Sequence, residues 1–171
     1  TETFTARALA NAEYGRYASH HDEDYFDAEL GADAKLRFVE GLSAFAGVEH
    51  AWDHEDRDSP DDVQGIKPTE YRRLGGWAGF EAVVGANSAR VGINVNQFDF
   101  DDVDGTSGSI DNDYRDRTMT ESGARLTHAL SDTRRVFVQG AYDQRDYDNP
   151  GAVDRDSDGF ASHECDARRG A

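Results

Sequence analysis

The chain has 171 residues, enough for one domain with a sizeable core, and a formal net charge of -17 at pH 7. Such an acidic balance argues against nucleic acid as a partner, because a phosphate backbone is bound by basic surfaces. The chain contains no apolar run of about 18 residues, which excludes a transmembrane helix but not membrane-spanning strands, in which only half of the residues face lipid.

Residues 26–38 alternate strictly between apolar and polar side chains. The even positions hold Phe, Ala and Leu, and the odd positions hold Asp, Glu, Gly, Lys and Arg. Successive side chains of a β-strand point to opposite faces, so this segment is predicted to be a long strand with one apolar and one charged face. The same alternation predicts strands at Phe4–Tyr17, Phe26–Phe38, Leu42–Trp52, Thr69–Val84, Ala89–Asn96, Arg117–Leu130 and Val136–Arg145. A last segment, 160–171, alternates poorly and would bring the total to about eight strands.

Short and long connections alternate between these strands. The short turns are centred 46 residues apart, near Glu40, Ala86 and Asp132. Long acidic loops centred near Asp62, Ser109 and Gly151 fall between them. In an up-and-down meander, alternate connections lie at opposite ends, so all the long loops would share one end, as in outer-membrane barrels.

The fold predicted from these patterns is all-β: a single antiparallel up-and-down meander β-barrel over residues 1–171, or part of a larger barrel. Two interpretations of the apolar stripes remain. Facing lipid, they make a membrane barrel; facing inward, they form the core of a soluble, secreted acidic β-protein, because soluble barrels of the lipocalin type are also up-and-down. The loop pattern favours the membrane interpretation.

In a membrane barrel the charged face would line the lumen. There, charges of both signs could pair across strands. The residues predicted to face the lumen are Glu29, Asp33, Lys35, Arg37, Arg73, Glu81, Arg90, Arg125 and Arg145. The aromatic residues fall mostly toward the long-loop ends of the strands, which is typical of a girdle at the membrane–water boundary.

One acidic loop resembles the opening of a calcium-binding loop. Asp154, Asp156 and Asp158 alternate and are followed by Gly159, and oxygen ligands in this spacing suit a hard cation. Position twelve of the loop is Cys165 where an EF-hand needs Glu, so the alternative is a solvated acidic hairpin. No other cofactor is predicted. No catalysis is predicted either, since no nucleophile elbow of the G-x-S-x-G type occurs.

Three segments carry a resemblance to a known family: HEDRDSPDDVQGIKPTEY, FDFDDV with NDYRDR, and DYDNPGAVDRDSDGF. Across residues 24–160 the chain resembles the porin-like outer-membrane β-barrel family associated with exopolysaccharide and capsule gene clusters of Gram-negative bacteria. The words DRDSPDD, PTEY and RDSDGF carry the likeness. Members of that family are longer, and outer-membrane barrels commonly end on an aromatic residue where this chain ends CDARRGA.

The resemblance implies an outer-membrane location, a structural or transport role and a link to surface polysaccharide export. It implies outer-membrane lipid and lipopolysaccharide as partners, with polysaccharide as a further one. Unpaired edge strands would also favour self-association. The alternative is a secreted protein that binds calcium or saccharide through its acidic loops.

Overall fold

The computed structural model describes residues 3–149, which fold almost entirely as antiparallel β-sheet. Each long strand contains 13 to 15 residues, because the alternation of apolar and polar side chains continues over that length. The strands are β1 (Thr3–Gly15), β2 (Tyr25–Val39), β3 (Leu42–His54), β4 (Glu70–Val84), β5 (Asn87–Phe100), β6 (Val103–Gly105), β7 (Gly108–Ile110), β8 (Arg117–Ser131) and β9 (Arg134–Tyr147). Short 3-10 turns lie at His21–Glu23 and Asp113–Arg115.

Seven of these strands form one meander sheet in the order β1-β2-β3-β4-β5-β8-β9, and β6 and β7 form a separate small hairpin. The antiparallel up-and-down fold predicted from the alternation is therefore confirmed. The large sheet does not close within residues 3–149, because β1 and β9 are its two ends and each pairs on one side only. The eighth predicted strand, at 160–171, lies outside the described residues.

The tight turns between the long strands of residues 3–149 lie at one end of the sheet, as the 46-residue spacing predicted. Two residues connect β2 to β3, β4 to β5 and β8 to β9. Gly41 takes a positive φ of 80° in the first of these turns, and a Cβ there would lie 2.2 Å from the carbonyl oxygen of Val83. Glycine is therefore required for this turn to pack against β4. The long connections, 16–24, 55–69 and 101–116, lie at the opposite end and form what we call the loop rim.

The register divides the side chains of the sheet into two faces. On the apolar face, one hydrogen-bonded row contains Phe4, Leu36, Ala44, Phe80, Val91, Ala124 and Gly140. On the charged face, the adjacent row contains Thr3, Arg37, Ser43, Glu81, Arg90, Arg125 and Gln139.

Few residues of the long strands are buried. Most of the buried residues belong to the loop rim or border it: Thr69, Phe100, Val103, Asn112 and Arg115. Among residues 3–149, no helix has the length and apolar character needed to cross a membrane.

Candidate functional site

The apolar face of the sheet is exposed rather than packed into a core. Phe4, Val48 and Val138 are 66%, 60% and 65% exposed, and large apolar side chains of the other long strands are comparably open. Water-soluble monomers rarely expose apolar patches of more than a few hundred Å². The face therefore has the character of a surface that contacts an apolar phase.

The border of this apolar face on the side of the loop rim runs obliquely across the hydrogen-bonded rows. On β1 the last apolar side chain before the loops is Tyr14, whereas on β9 it is Tyr142, with only Gln144 and Asp146 beyond. Tyr142 lies in the row that reaches β1 at Ala6, eight residues below Tyr14.

This inclination gives a strand tilt. Eight residues correspond to ~26 Å along a strand, and the six steps from β1 to β9 correspond to ~29 Å across the sheet. If the border is level, the strands are tilted by roughly 40°, within the range of ~35–45° found in transmembrane barrels. A planar apolar boundary across tilted strands is what a bilayer requires.

Only some of the aromatic residues at this border face outward. Tyr14, Phe26 and Trp52 lie on the apolar face near the loop rim, consistent with the predicted girdle. Tyr71 lies on the charged face, where its ring stacks on Phe100 with centroids 5.2 Å apart. The girdle prediction is therefore wrong for Tyr71 and Phe100, whose rings stack on each other on the charged face, next to the loop rim.

The register places every residue that was predicted to face a lumen on the charged face of the sheet. These residues are Glu29, Asp33, Lys35, Arg37, Arg73, Glu81, Arg90, Arg125 and Arg145. Several pair across strands. Asp33 accepts hydrogen bonds from Arg7, Glu81 accepts one from Lys35 at 2.8 Å, and Arg73 contacts Glu49.

Aromatic rings lie flat on the charged face where glycines leave space. Trp77 covers Gly47, at which an added Cβ would lie 2.3 Å from the indole ring. Phe45 covers Gly79 in the same way, with 2.4 Å from an added Cβ to the ring. A groove of about 560 Å³ lies beside these rings, and its polar lining includes Arg90, Asn94, Glu121 and Asp143. Polar groups beside a flat aromatic surface are a combination that suits a hydrophilic solute with apolar faces.

The loop rim is an ordered structure held by ion pairs between distant segments. Arg115 binds Glu55, and the two side chains are only 9% and 10% exposed. The guanidinium of Arg115 also lies over the Phe100 ring, 4.2 Å from its centroid. Burial lowers the pKa of Arg115, but the hydrogen bonds and charge of Glu55 outweigh it and raise the pKa above its ordinary value.

A second ion pair ties the loop 16–24 to the loop 55–69. Arg57 donates two hydrogen bonds of 2.7 Å to the carboxylate of Glu23 and two more to the backbone oxygens of Gly65 and Ile66. The hydrogen bond from Arg57 holds the pKa of Glu23 below its ordinary value. The long loops therefore form one interlocked layer over the end of the sheet.

Acidic side chains also meet in the loop rim. Carboxylate oxygens of Asp102, Asp111 and Asp113 lie within 4.8 Å of one another, and all three residues are exposed. The charges of Asp111 and Asp102 raise the pKa of Asp113. The predicted calcium ligands Asp154, Asp156 and Asp158 lie outside the described residues.

Sequence reasoning missed the interlocking of the loop rim. The ion pair of Arg115 with Glu55 joins residues 60 positions apart, so no local pattern could reveal it. Two further contacts had a signal in the sequence. Gly47 and Gly79 interrupt the alternation on the charged face, and glycine inside a strand often marks a close approach by a neighbouring group.

Comparison with protein families gives a match over most of the chain. The family model described as "Putative beta-barrel porin 2" matches residues 3–164. No curated protein and no solved structure matches the chain.

Proposed function

The chain belongs to the beta-barrel porin 2 family, and on that premise we propose that its seven-stranded sheet is an arc of an outer-membrane barrel that conducts hydrophilic solutes. The apolar face contacts lipid, and the charged face lines the lumen. The bacterial outer membrane is the location that this assignment implies, with its lipid and lipopolysaccharide as the surrounding partners.

The observation that carries the proposal is the inclined border of the apolar face. A soluble barrel would turn its apolar side chains inward, and its exposed face would need no common boundary from strand to strand. Here the apolar face is exposed, although charged side chains such as Arg7 and Lys35 on the other face of the open sheet are exposed too. The border of the apolar face lies eight residues lower on β9 than on β1, as a flat bilayer surface would require of strands tilted by roughly 40°.

The solute class proposed for this lumen is saccharide, with surface polysaccharide export as the role. Trp77 and Phe45 present flat rings, and Asn94 and Glu121 offer polar groups along the same groove. Sugar rings have apolar faces that stack on aromatic side chains and hydroxyl groups that hydrogen-bond to amides and carboxylates. The link to export comes from the family resemblance, and the groove is consistent with it.

The role is proposed to be non-catalytic. Calcium binding by the loop 154–158 also remains a proposal, testable by titration with calcium before and after Asp156→Asn. Self-association through the two unpaired sheet edges is proposed on the same footing.

Two adjacent substitutions on β5 test the orientation of the sheet. Ile93 lies on the apolar face, halfway along the apolar part of β5, whereas Asn94 lies on the charged face and hydrogen-bonds to Glu121 at 3.2 Å. Ile93→Lys should weaken insertion by up to ~2–4 kcal/mol, the cost of a lysine at the bilayer midplane. Asn94→Lys should insert normally, because its ammonium can pair with Glu121.

The measurement is flotation of the full chain with phosphatidylcholine vesicles, followed by gel mobility with and without boiling. We expect the parent and Asn94→Lys to float and to show a heat-dependent shift, and Ile93→Lys to remain in the aqueous fractions. Equal flotation of the two variants would contradict the assignment of the faces. A parent protein that stays in buffer as a soluble species would instead support the secreted, acidic alternative.

A further inference from the structure

Two arginines face each other across adjacent strands on the charged face. Arg90 of β5 is the direct cross-strand partner of Arg125 of β8. The Cβ atoms of such a pair lie about 5 Å apart, and like charges placed directly opposite destabilise a ladder. Two positive side chains thus extend from directly opposed backbone positions, in a chain with a formal net charge of -17.

Within residues 3–149, neither arginine of this pair forms a contact ion pair with a neighbouring strand. Glu81, the partner of Arg90 on β4, is engaged by Lys35 at 2.8 Å. The partner of Arg125 on β9 is the uncharged Gln139. Among residues 3–149, no carboxylate oxygen lies within 4.0 Å of either guanidinium. Arg7 and Arg73, by contrast, each have a carboxylate partner on the same face.

Aromatic rings hold the two guanidinium groups in place. The Arg90 guanidinium lies over Phe45, 4.5 Å from the ring centroid, and that of Arg125 lies over Phe137 at 3.9 Å. Stacking occupies the flat surface of a guanidinium but leaves its N–H edge available for a planar oxyanion. The two guanidinium groups are therefore held by stacking and, within residues 3–149, have no contact ion pair, a combination suited to binding an anion.

We propose that Arg90 and Arg125 form a binding site for the carboxylate group of an acidic solute, such as a sugar acid. A carboxylate between them would accept paired hydrogen bonds from one guanidinium and the charge of the other. The groove that borders Arg90 provides room for the rest of the solute. The inference rests on the proposed function, because the charged face must be open to water for the solute to reach it.

The test is a titration of the folded full chain in detergent with glucuronate, and with neutral glucose as the comparison. Binding is monitored by tryptophan fluorescence, because Trp77 lines the same groove. We expect glucuronate to bind more tightly than glucose. Arg125→Gln should weaken glucuronate binding by about tenfold or more, the loss expected for a charge-assisted hydrogen bond. Arg7→Gln is the matched control, because it removes the same charge from the same face at an arginine already bound to Asp33, and it should leave the affinity unchanged.

A second readout uses the unmodified protein, so it does not depend on the folding of a variant. Phenylglyoxal modifies accessible arginines, and peptide mapping would show whether glucuronate protects Arg90 and Arg125 together. Equal affinity of Arg125→Gln and the parent, or no protection at either residue, would overturn the inference. Because the titration is done in detergent, such a result would leave the flotation test of the proposed function unaffected.

Discussion

The buried ion pair of Arg115 and Glu55 gives the sharpest test of the loop rim. Glu55→Gln removes the negative charge but keeps the shape of the side chain. The side chain of Arg115 then remains 9% exposed, with its guanidinium over the Phe100 ring and without its counter-charge. Removing one partner of a buried pair costs ~3–5 kcal/mol, and the retained amide oxygen of glutamine places this change near the lower end.

Glu55→Gln should destabilise the closed state of the loop rim by ~3 kcal/mol. It should leave the opened state unaffected, because Arg115 is exposed to water there. The population of the opened rim should therefore rise by about 100-fold, at 1.4 kcal/mol per factor of ten. Cleavage by trypsin after Arg57, within the same rim, measures that population when opening and closing are fast relative to cleavage. We expect the cleavage rate of the folded protein in detergent to rise by a similar factor.

The matched control for this experiment is Asp56→Asn. It removes the same charge from the adjacent residue, whose side chain is 83% exposed, so it should leave the cleavage rate within about twofold of the parent. The heat-dependent gel shift should persist in both variants, which would show that the strands remain folded. Equal cleavage rates for Glu55→Gln and Asp56→Asn would refute the reasoning that burial makes this pair important.

Two further predictions concern packing and pH. Gly47→Ala places a Cβ 2.3 Å from the Trp77 ring and should destabilise the sheet by ~1–3 kcal/mol, the usual cost of overpacking. Urea unfolding in detergent would measure this loss of stability. As the control, Gly140→Ala should unfold at the same urea midpoint as the parent, because an added Cβ there would have nothing within 4 Å. Because the pKa of Glu23 is lower in the folded protein than its ordinary value of 4.5, its ion pair with Arg57 stabilises the loops fully above that pH and is lost as the pH falls through the lower folded value. Hydrogen exchange of residues 57–66 should therefore lose protection in that acid range, and Glu23→Gln should abolish this part of the pH dependence; an unchanged acid profile in the variant would contradict the assignment to Glu23.

The strands and their two faces could be predicted from the sequence because both follow from local alternation. Residues 26–38 alone define a strand and assign each side chain to a face, and the two-residue turns then fix the neighbouring strands. The tilt of the sheet could not be predicted, because it depends on the register between strands. The sequence places Tyr14 and Tyr142 near loops but does not show that their rows differ by eight residues.

The loop rim escaped prediction for a different reason. The strands β6 and β7 contain three residues each, too few for a period of two to be visible. The acidic composition of the loops gave no sign of buried residues, yet Asn112 and Thr69 are fully buried there. These burials depend on contacts between loops far apart in the chain, such as the hydrogen bond from the amide of Ile66 to the carbonyl of Asp104.

The open ends of the sheet acquire a particular meaning in a bilayer. Hydrocarbon is a solvent that can neither donate nor accept a hydrogen bond, so each backbone group left unpaired at membrane depth costs several kcal/mol. The free edges of β1 and β9 each run for more than a dozen residues, and leaving both bare in lipid would cost far more than the whole stability of an ordinary domain. The arc of residues 3–149 can therefore exist in a membrane only as part of a closed ring, completed by further strands from the same polypeptide or from a second copy.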